Sequence, residues 1–183
     1  MNPTIFIARP AVVTQDHEHS FNEWVVSLNA AGFRVDRLLR HEYMTNPWAL
    51  LNRRLAEADG MLALGFAQLA IAEGVSRPGT VEAAPTSGSW TSPWLQIEVG
   101  FALGSGIPVL AVPQHGVLEG VFDPSAATGP LFSPLRPTAE TQATPRDWVI
   151  AVQDRFRRRT TSTHGEPDRL GRPASTEATP GAS

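Results

Sequence analysis

The chain has 183 residues, 42% of them hydrophobic and 18% charged, with a formal net charge of −3. This is the profile of a soluble globular domain, long enough for one substantial core and with no electrostatic case for nucleic acid or an anionic membrane. Cysteine is absent and every basic residue is arginine, which excludes disulfides, thiolate catalysis, cysteine-ligated zinc, a lysine Schiff base and a P-loop lysine within this chain. The first residues lack the pattern of a signal peptide and no apolar run approaches a membrane span, so a cytoplasmic protein is expected.

Thr4-Ile5-Phe6-Ile7-Ala8 is a compact apolar run closed by Arg9-Pro10, as expected of a first, central strand in a parallel sheet. Arg9 then stands at the strand's carboxyl end, either as a surface charge or carboxylate partner or as a clamp for phosphate or carboxylate. Asp16-His17-Glu18-His19 invites a metal reading. Consecutive residues on one loop do not easily converge on an ion, so a solvated loop leading into a helix is expected, with Ser20 as cap and Glu23 at the capping-box position. Phe21, Trp24, Val25 and Leu28 form the apolar stripe of that helix, and Gly32 stops it. Phe33 to Leu38 alternates as an edge strand does. Pro47 opens a second helix with Trp48, Leu51, Leu55 and Ala58 on its apolar face and Arg53-Arg54 on the solvated side.

Asp59-Gly60 turns the chain into Met61-Leu62-Ala63-Leu64, a buried strand. At its carboxyl end Gly65 permits close approach of a ligand, and Gln68 offers a donor and an acceptor; a glycine turn and a solvated glutamine are the plainer alternatives. Residues 70–93, rich in Gly, Pro, Ser, Thr and Ala, read as a long loop. Trp90 and Trp94 bracket its end, as core anchors or as a stacking wall for a nucleobase or sugar.

Ser92-Pro93 starts a third helix by supplying a cap and a first-turn proline. Leu95, Val99, Ala102 and Leu103 keep helical spacing. Gly104 and Gly106 permit a left-handed turn, Pro108 prevents continuation, and Val109 to Val112 is another buried strand. Glu98 is the odd residue of this unit. It either serves helix-terminus electrostatics or solvation, or points into a crevice at the carboxyl edge of the sheet as a nucleophile or acid/base group. His115 lies on the loop that follows. A short last strand is expected within Leu131 to Leu135. A final amphipathic helix from Pro145 ends at Arg157-Arg158-Arg159, where cations suit a helix C-terminus, and residues 160–183 have the composition of a disordered tail.

Strands alternating with amphipathic helices specify an open parallel α/β sheet covered on both faces. The expected topology is flavodoxin-like with strand order 2-1-3-4-5, so that Arg9, Gln68 and Glu98 meet at the switch point between the first and third strands. The domain spans 1–159.

Ile5-Phe6-Ile7-Ala8-Arg9-Pro10 resembles the first strand and turn of nucleoside 2-deoxyribosyltransferases. Trp94-Leu95-Gln96-Ile97-Glu98-Val99-Gly100-Phe101-Ala102 followed by Gly106-Ile107-Pro108-Val109 resembles their Glu-x-Gly-x-Ala helix and Gly-Lys-Pro-Val turn. The layout is also similar to TIR-like domains, in which a glutamate early in the corresponding helix serves NAD glycohydrolysis. Thr91-Ser92-Pro93-Trp94 stands where the transferases have Asp-x-Gly-Thr, and Phe6 carries no hydroxyl. The resemblance covers roughly residues 4–112. It implies an N-glycosidic-bond enzyme for a nucleoside, nucleotide or NAD-like compound, with Glu98 at the anomeric carbon. Arg9, Gly65, Gln68 and Trp94 would contact substrate, without cofactor or metal, and a homo-oligomer is implied as well. The alternative is a non-catalytic nucleotide-sensing or TIR-like interaction module. An FMN-binding scaffold ranks behind both, because no Ser/Thr-rich phosphate loop follows the first strand.

Overall fold

The computed structural model describes residues 2–38, 42, 46–125, 131–133 and 145–163. Three apolar runs become the sheet's inner strands: β1 (Thr4–Ala8), buried throughout, β3 (Gly60–Gly65), also buried throughout, and β6 (Val109–Pro113). Runs with no polar alternation need cover on both faces, which a parallel sheet between two helical layers provides. Short edge strands flank them, β2 (Arg34–Asp36) on one side and β7 (Leu131–Phe132) on the other. The order is β2-β1-β3-β6-β7 and every pairing in this sheet is parallel.

The expected order 2-1-3-4-5 is corrected here. The two strands that follow β3 in the chain, β4 (Leu69–Ser76) and β5 (Ala84–Trp90), leave the sheet and pair antiparallel with each other. Their sequences, LAIAEGVS and APTSGSW, are built largely of small and polar residues and have no position buried. They could not serve as inner strands covered on both faces. The stretch expected as a loop is therefore a hairpin.

Period-two alternation divides the sheet's side chains between two cores. Phe6, Ala8, Met61, Ala63, Val109 and Ala111 pack with Leu51 and Leu55 of α2 (Pro47–Glu57) and Leu95, Val99 and Ala102 of α3 (Pro93–Gly104). Ile5, Ile7, Leu62, Leu64, Leu110 and Val112 pack with Phe21, Trp24 and Leu28 of α1 (Gln15–Ala30) and Trp148 and Val152 of α4 (Arg146–Thr163). The helices thus cover both faces. Each fully buried Val, Leu, Ile, Met or Phe among them contributes about 1.5–3 kcal/mol.

Several boundaries differ from expectation for identifiable reasons. Helix α1 starts at Gln15, before Ser20, because Thr14 caps it. The Thr14 hydroxyl accepts from the His17 amide at 3.3 Å and the His17 ring nitrogen Nδ1 accepts from the Thr14 amide at 3.3 Å. His17 thereby takes the place usually held by Glu or Gln in a capping box. Asn46 caps α2, on which Trp48 is exposed. Arg54, expected in solvent, pairs with Asp36 at 3.1 Å and Glu42 at 3.0 Å, and these carboxylates outweigh its desolvation and raise its pKa. Helix α4 runs past Arg159 to Thr163. Leu135 and residues 164–183 of the expected tail lie outside the described residues.

The amino edge of the sheet is closed by ions. Asp59, which the sequence presents as a turn residue, is fully buried. Its carboxylate accepts from the Thr4 amide at 2.8 Å and from two nitrogens of Arg159, each at 2.9 Å. That hydrogen-bonded pair raises the Arg159 pKa. One helical turn earlier Arg155 donates to the carbonyls of Ala58 at 3.3 Å, Ser105 at 3.4 Å and Gly106 at 3.2 Å. The end of α4 therefore ties down the ends of α2 and α3 together with the start of β3.

Removing one member of a buried pair costs about 3–5 kcal/mol, and the 39% exposure of Arg159 lowers that. Asp59→Ala is expected to destabilise by about 2–3 kcal/mol. Asp59→Asn, whose amide oxygen still accepts from Thr4, should cost about half as much. Urea denaturation of the two variants measures both; equal losses would mean that the Thr4 bond contributes nothing beyond the ion pair, and no loss in Asp59→Asn that the ion pair contributes nothing.

Candidate functional site

Parallel strands aim their carboxyl ends at one edge, and helices that return between them begin there. That edge carries Arg9 after β1, Gly65 to Gln68 after β3, Gln114 after β6, and the first turns of α3. The Ser92 hydroxyl accepts from the Leu95 amide at 3.2 Å and Pro93 occupies the first turn. At the far end the Gly106 amide donates to Leu103 at 3.0 Å and the Ile107 amide to Ala102 at 2.9 Å, with Gly106 at φ +64°. This paired closure requires a residue free to turn left-handed. Helix α3 is thus specified at both ends by its own sequence.

Glu98 lies in the second turn of α3 and is only 1% exposed. It shares the buried side of the helix with Leu95, Val99 and Ala102. One turn earlier the Trp94 indole donates to Glu98 Oε1 at 2.7 Å, a short bond that fixes the carboxyl group's orientation. The Trp94 ring is half-buried and packs at 4.9 Å, tilted by 52°, against Trp48 of α2.

The other expected residues reach the same edge but are differently engaged. Arg9 donates to Glu18 Oε1 at 2.9 Å and lies 4.5 Å above the Phe21 ring, which also carries Arg37 at 5.1 Å. Gly65 is closely packed: a Cβ there would stand 2.8 Å from the Phe122 ring, so the missing side chain admits Phe122. Gln68 is exposed and opens the hairpin, its amide donating to the Trp90 carbonyl at 2.7 Å and its side chain to the Ala67 carbonyl at 3.0 Å. The structure brings Trp94 into direct contact with Glu98. Neither Arg9 nor Gln68 bonds to that carboxylate. Trp90 is 42% exposed at the hairpin's root.

A constellation that sequence reasoning missed lies beside them. His17, expected on a solvated loop, is buried within α1, its ring stacked on Phe66 with centroids 4.3 Å apart and planes within 8°. Gln114 Oε1 accepts from the Ala67 amide at 2.8 Å and lies 3.0 Å from His17 Nε2. Because Nδ1 accepts from Thr14, Nε2 carries the ring proton and donates to Gln114. One amide oxygen therefore joins the start of α1, the loop after β3 and the end of β6. A glutamine directly after a buried strand was the available signal; its partners are 47 and 97 residues away. His19 instead pairs with Glu23 at 3.3 Å on the surface. Among the described residues no group of three or more His, Asp or Glu converges as metal ligands would.

No protein-family model, curated protein or solved structure matches the chain.

Gln114→Leu removes an acceptor shared by two part-buried donors and should cost about 1–3 kcal/mol. Hydrogen exchange should locate the effect, with the Ala67 amide losing protection out of proportion to the sheet. Uniform loss would show that the bond does not hold the loop specifically. Gly65→Ala should cost about 1–3 kcal/mol through overpacking against Phe122, and Gly65→Ala combined with Phe122→Leu should recover part of it in a thermal melt.

Proposed function

We propose that this chain is an N-glycosidic-bond enzyme acting on a nucleoside, nucleotide or NAD-like substrate, related to nucleoside 2-deoxyribosyltransferases and TIR-like domains. The observation that carries the proposal is Glu98: a carboxylate withdrawn from water in the second turn of an apolar helix, at the carboxyl edge of a parallel sheet, with one oxygen held by the Trp94 indole. Burying a charge costs stability unless its surroundings compensate, and such groups concentrate at functional sites.

In this reading the bond between the anomeric carbon and the base nitrogen breaks with its electron pair leaving on the base. The carboxylate of Glu98 attacks or electrostatically stabilises the oxocarbenium-like carbon, and water or an acceptor completes the exchange. Trp94 is the positioning residue. Its half-buried ring covers the carboxylate, so substrate entry shifts the indole and offers the base or sugar an aromatic face. Arg9 serves an anionic group of the substrate by exchanging its Glu18 contact, and Gln68 and the backbone at Gly65 border the opening. Among the described residues no helix is long and apolar enough to cross a membrane; a cytoplasmic setting belongs to the same proposal.

A second reading, a nucleotide-sensing or interaction module without turnover, is favoured by the Arg9–Glu18 pair and by Thr91-Ser92-Pro93-Trp94 in place of an acid. Chromatography of free base after incubation with nucleosides, nucleotides and NAD separates the two. Under the enzymatic reading Glu98→Gln, which still accepts from Trp94, lowers release by about 10²–10⁴-fold. Trp94→Phe keeps the packing on Trp48 and lowers it by about tenfold, the worth of one hydrogen bond. Unchanged release in Glu98→Gln would remove the glutamate from the mechanism. A ligand-induced thermal shift without release would leave the sensing module.

A further inference from the structure

Arg9 and Arg37 leave the carboxyl ends of adjacent strands on the same side of the sheet. Parallel pairing sets Ile5 opposite Val35, and both pack in the core that α1 covers. Side chains alternate between the faces, so Arg9 continues the row of Ile5 and Ile7, and Arg37 the row of Val35. Both guanidinium groups accordingly reach the Phe21 ring of α1, Arg9 at 4.5 Å and Arg37 at 5.1 Å. Two like charges gathered on one ring repel each other. An anion held by both removes that cost.

The two arginines are lightly engaged. Glu18 takes one nitrogen of Arg9 at 2.9 Å, and its side chain is 46% exposed. An ion pair with so exposed a partner contributes little, so an incoming anion displaces Glu18 readily. Arg37 is half-buried and makes no ion pair among the described residues. The acid beside it, Asp36, is paired with Phe6 on the opposite face. Arg54 holds both oxygens of Asp36, at 3.1 and 3.2 Å, together with Glu42. Arg37 also borders a hollow of about 470 Å³ with Phe21, Val25, Val35 and the mutually engaged Asp36, Glu42 and Arg54, which leaves room for a ligand.

A carboxylate has two oxygens and one charge, whereas a phosphoryl group has three terminal oxygens and a charge near −2. It can accept from two guanidinium forks at once. Strand order β2-β1-β3 puts this pair one to two strand spacings, roughly 5–10 Å, from the switch point between β1 and β3. That is the scale of a sugar carrying an ester arm. We propose that Arg9 and Arg37 together bind a phosphoryl group, so that the substrate is a phosphorylated nucleoside rather than a bare one. The substrate assignment rests on the glycosidic reading above; the anion site does not.

Calorimetric titration of the full chain with inorganic phosphate, and with nucleoside 5′-monophosphates beside the matching nucleosides, tests this. Phosphate should bind, and each monophosphate should bind at least tenfold more tightly than its nucleoside. Arg37→Gln should weaken phosphate binding about 10–100-fold, the worth of charge-assisted hydrogen bonds, and Arg37→Lys should recover only part, since an ammonium lacks the fork. Glu18→Gln removes the competing charge without touching Arg37 and should strengthen binding several-fold. Arg53→Gln, an exposed charge on α2, should change nothing. Absence of phosphate binding would overturn the anion site, as would an equal loss in Arg53→Gln or indifference to both Arg37→Gln and Glu18→Gln. Phosphate binding with equal base release from nucleoside and monophosphate would overturn the substrate assignment. Phosphate binding with no base release from any compound would uphold the anion site and remove the glycosidic reading.

Discussion

Strand β3 runs between β1 and β6 with all six residues buried, and much of the remaining structure follows from its situation. Its backbone groups find partners on both sides and its side chains enter both cores alternately, so neither helical layer can be removed without exposing half of it. The two ends inherit the constraint. At the amino end the preceding residue is a carboxylate with no route to water, which requires Arg159 and the Thr4 amide as partners. At the carboxyl end a side chain is excluded because Phe122 occupies its place.

The same physics decided which parts could be read from sequence. Strands β1, β3 and β6 were legible because burial on two faces writes itself as a continuous apolar run. Helix α3 was legible because its cap, first-turn proline and terminal glycine are local signals. The hairpin was not, since strands exposed on both faces are under no demand for alternation, and Ala, Ser, Thr and Gly then look like loop. The role of Asp59 was hidden because Asp-Gly is a common turn and its cation is 100 residues away. His17 was misjudged for a related reason: three polar neighbours suggested solvent, while the ring that shelters it, Phe66, belongs to another segment.

The candidate site divides in the same manner. That Glu98 would lie on α3 near the carboxyl edge followed from chain order. That it would be almost wholly buried did not, because a glutamate in a helix is solvated by default and its burial and its bond from Trp94 depend on tertiary packing. Arg9 shows the converse. Its position was foreseeable, but its engagement by Glu18 depends on α1 beginning before Ser20, and hence on the Thr14 cap.

The root of the hairpin has a consequence for how this chain can vary. Leu69 and Trp90 face each other across the ladder and the Gln68 amide donates to Trp90, so the two strands close on themselves at the point where they leave the body. From the sheet's side, the 20 residues between those partners count as a short crossing whatever happens at the tip. Lengthening a closed excursion adds little entropic cost, and exposed tips tolerate insertion. The segment around Arg77 to Ala83 is therefore the place where this architecture can acquire or exchange sequence without disturbing α3 or the carboxylate it carries.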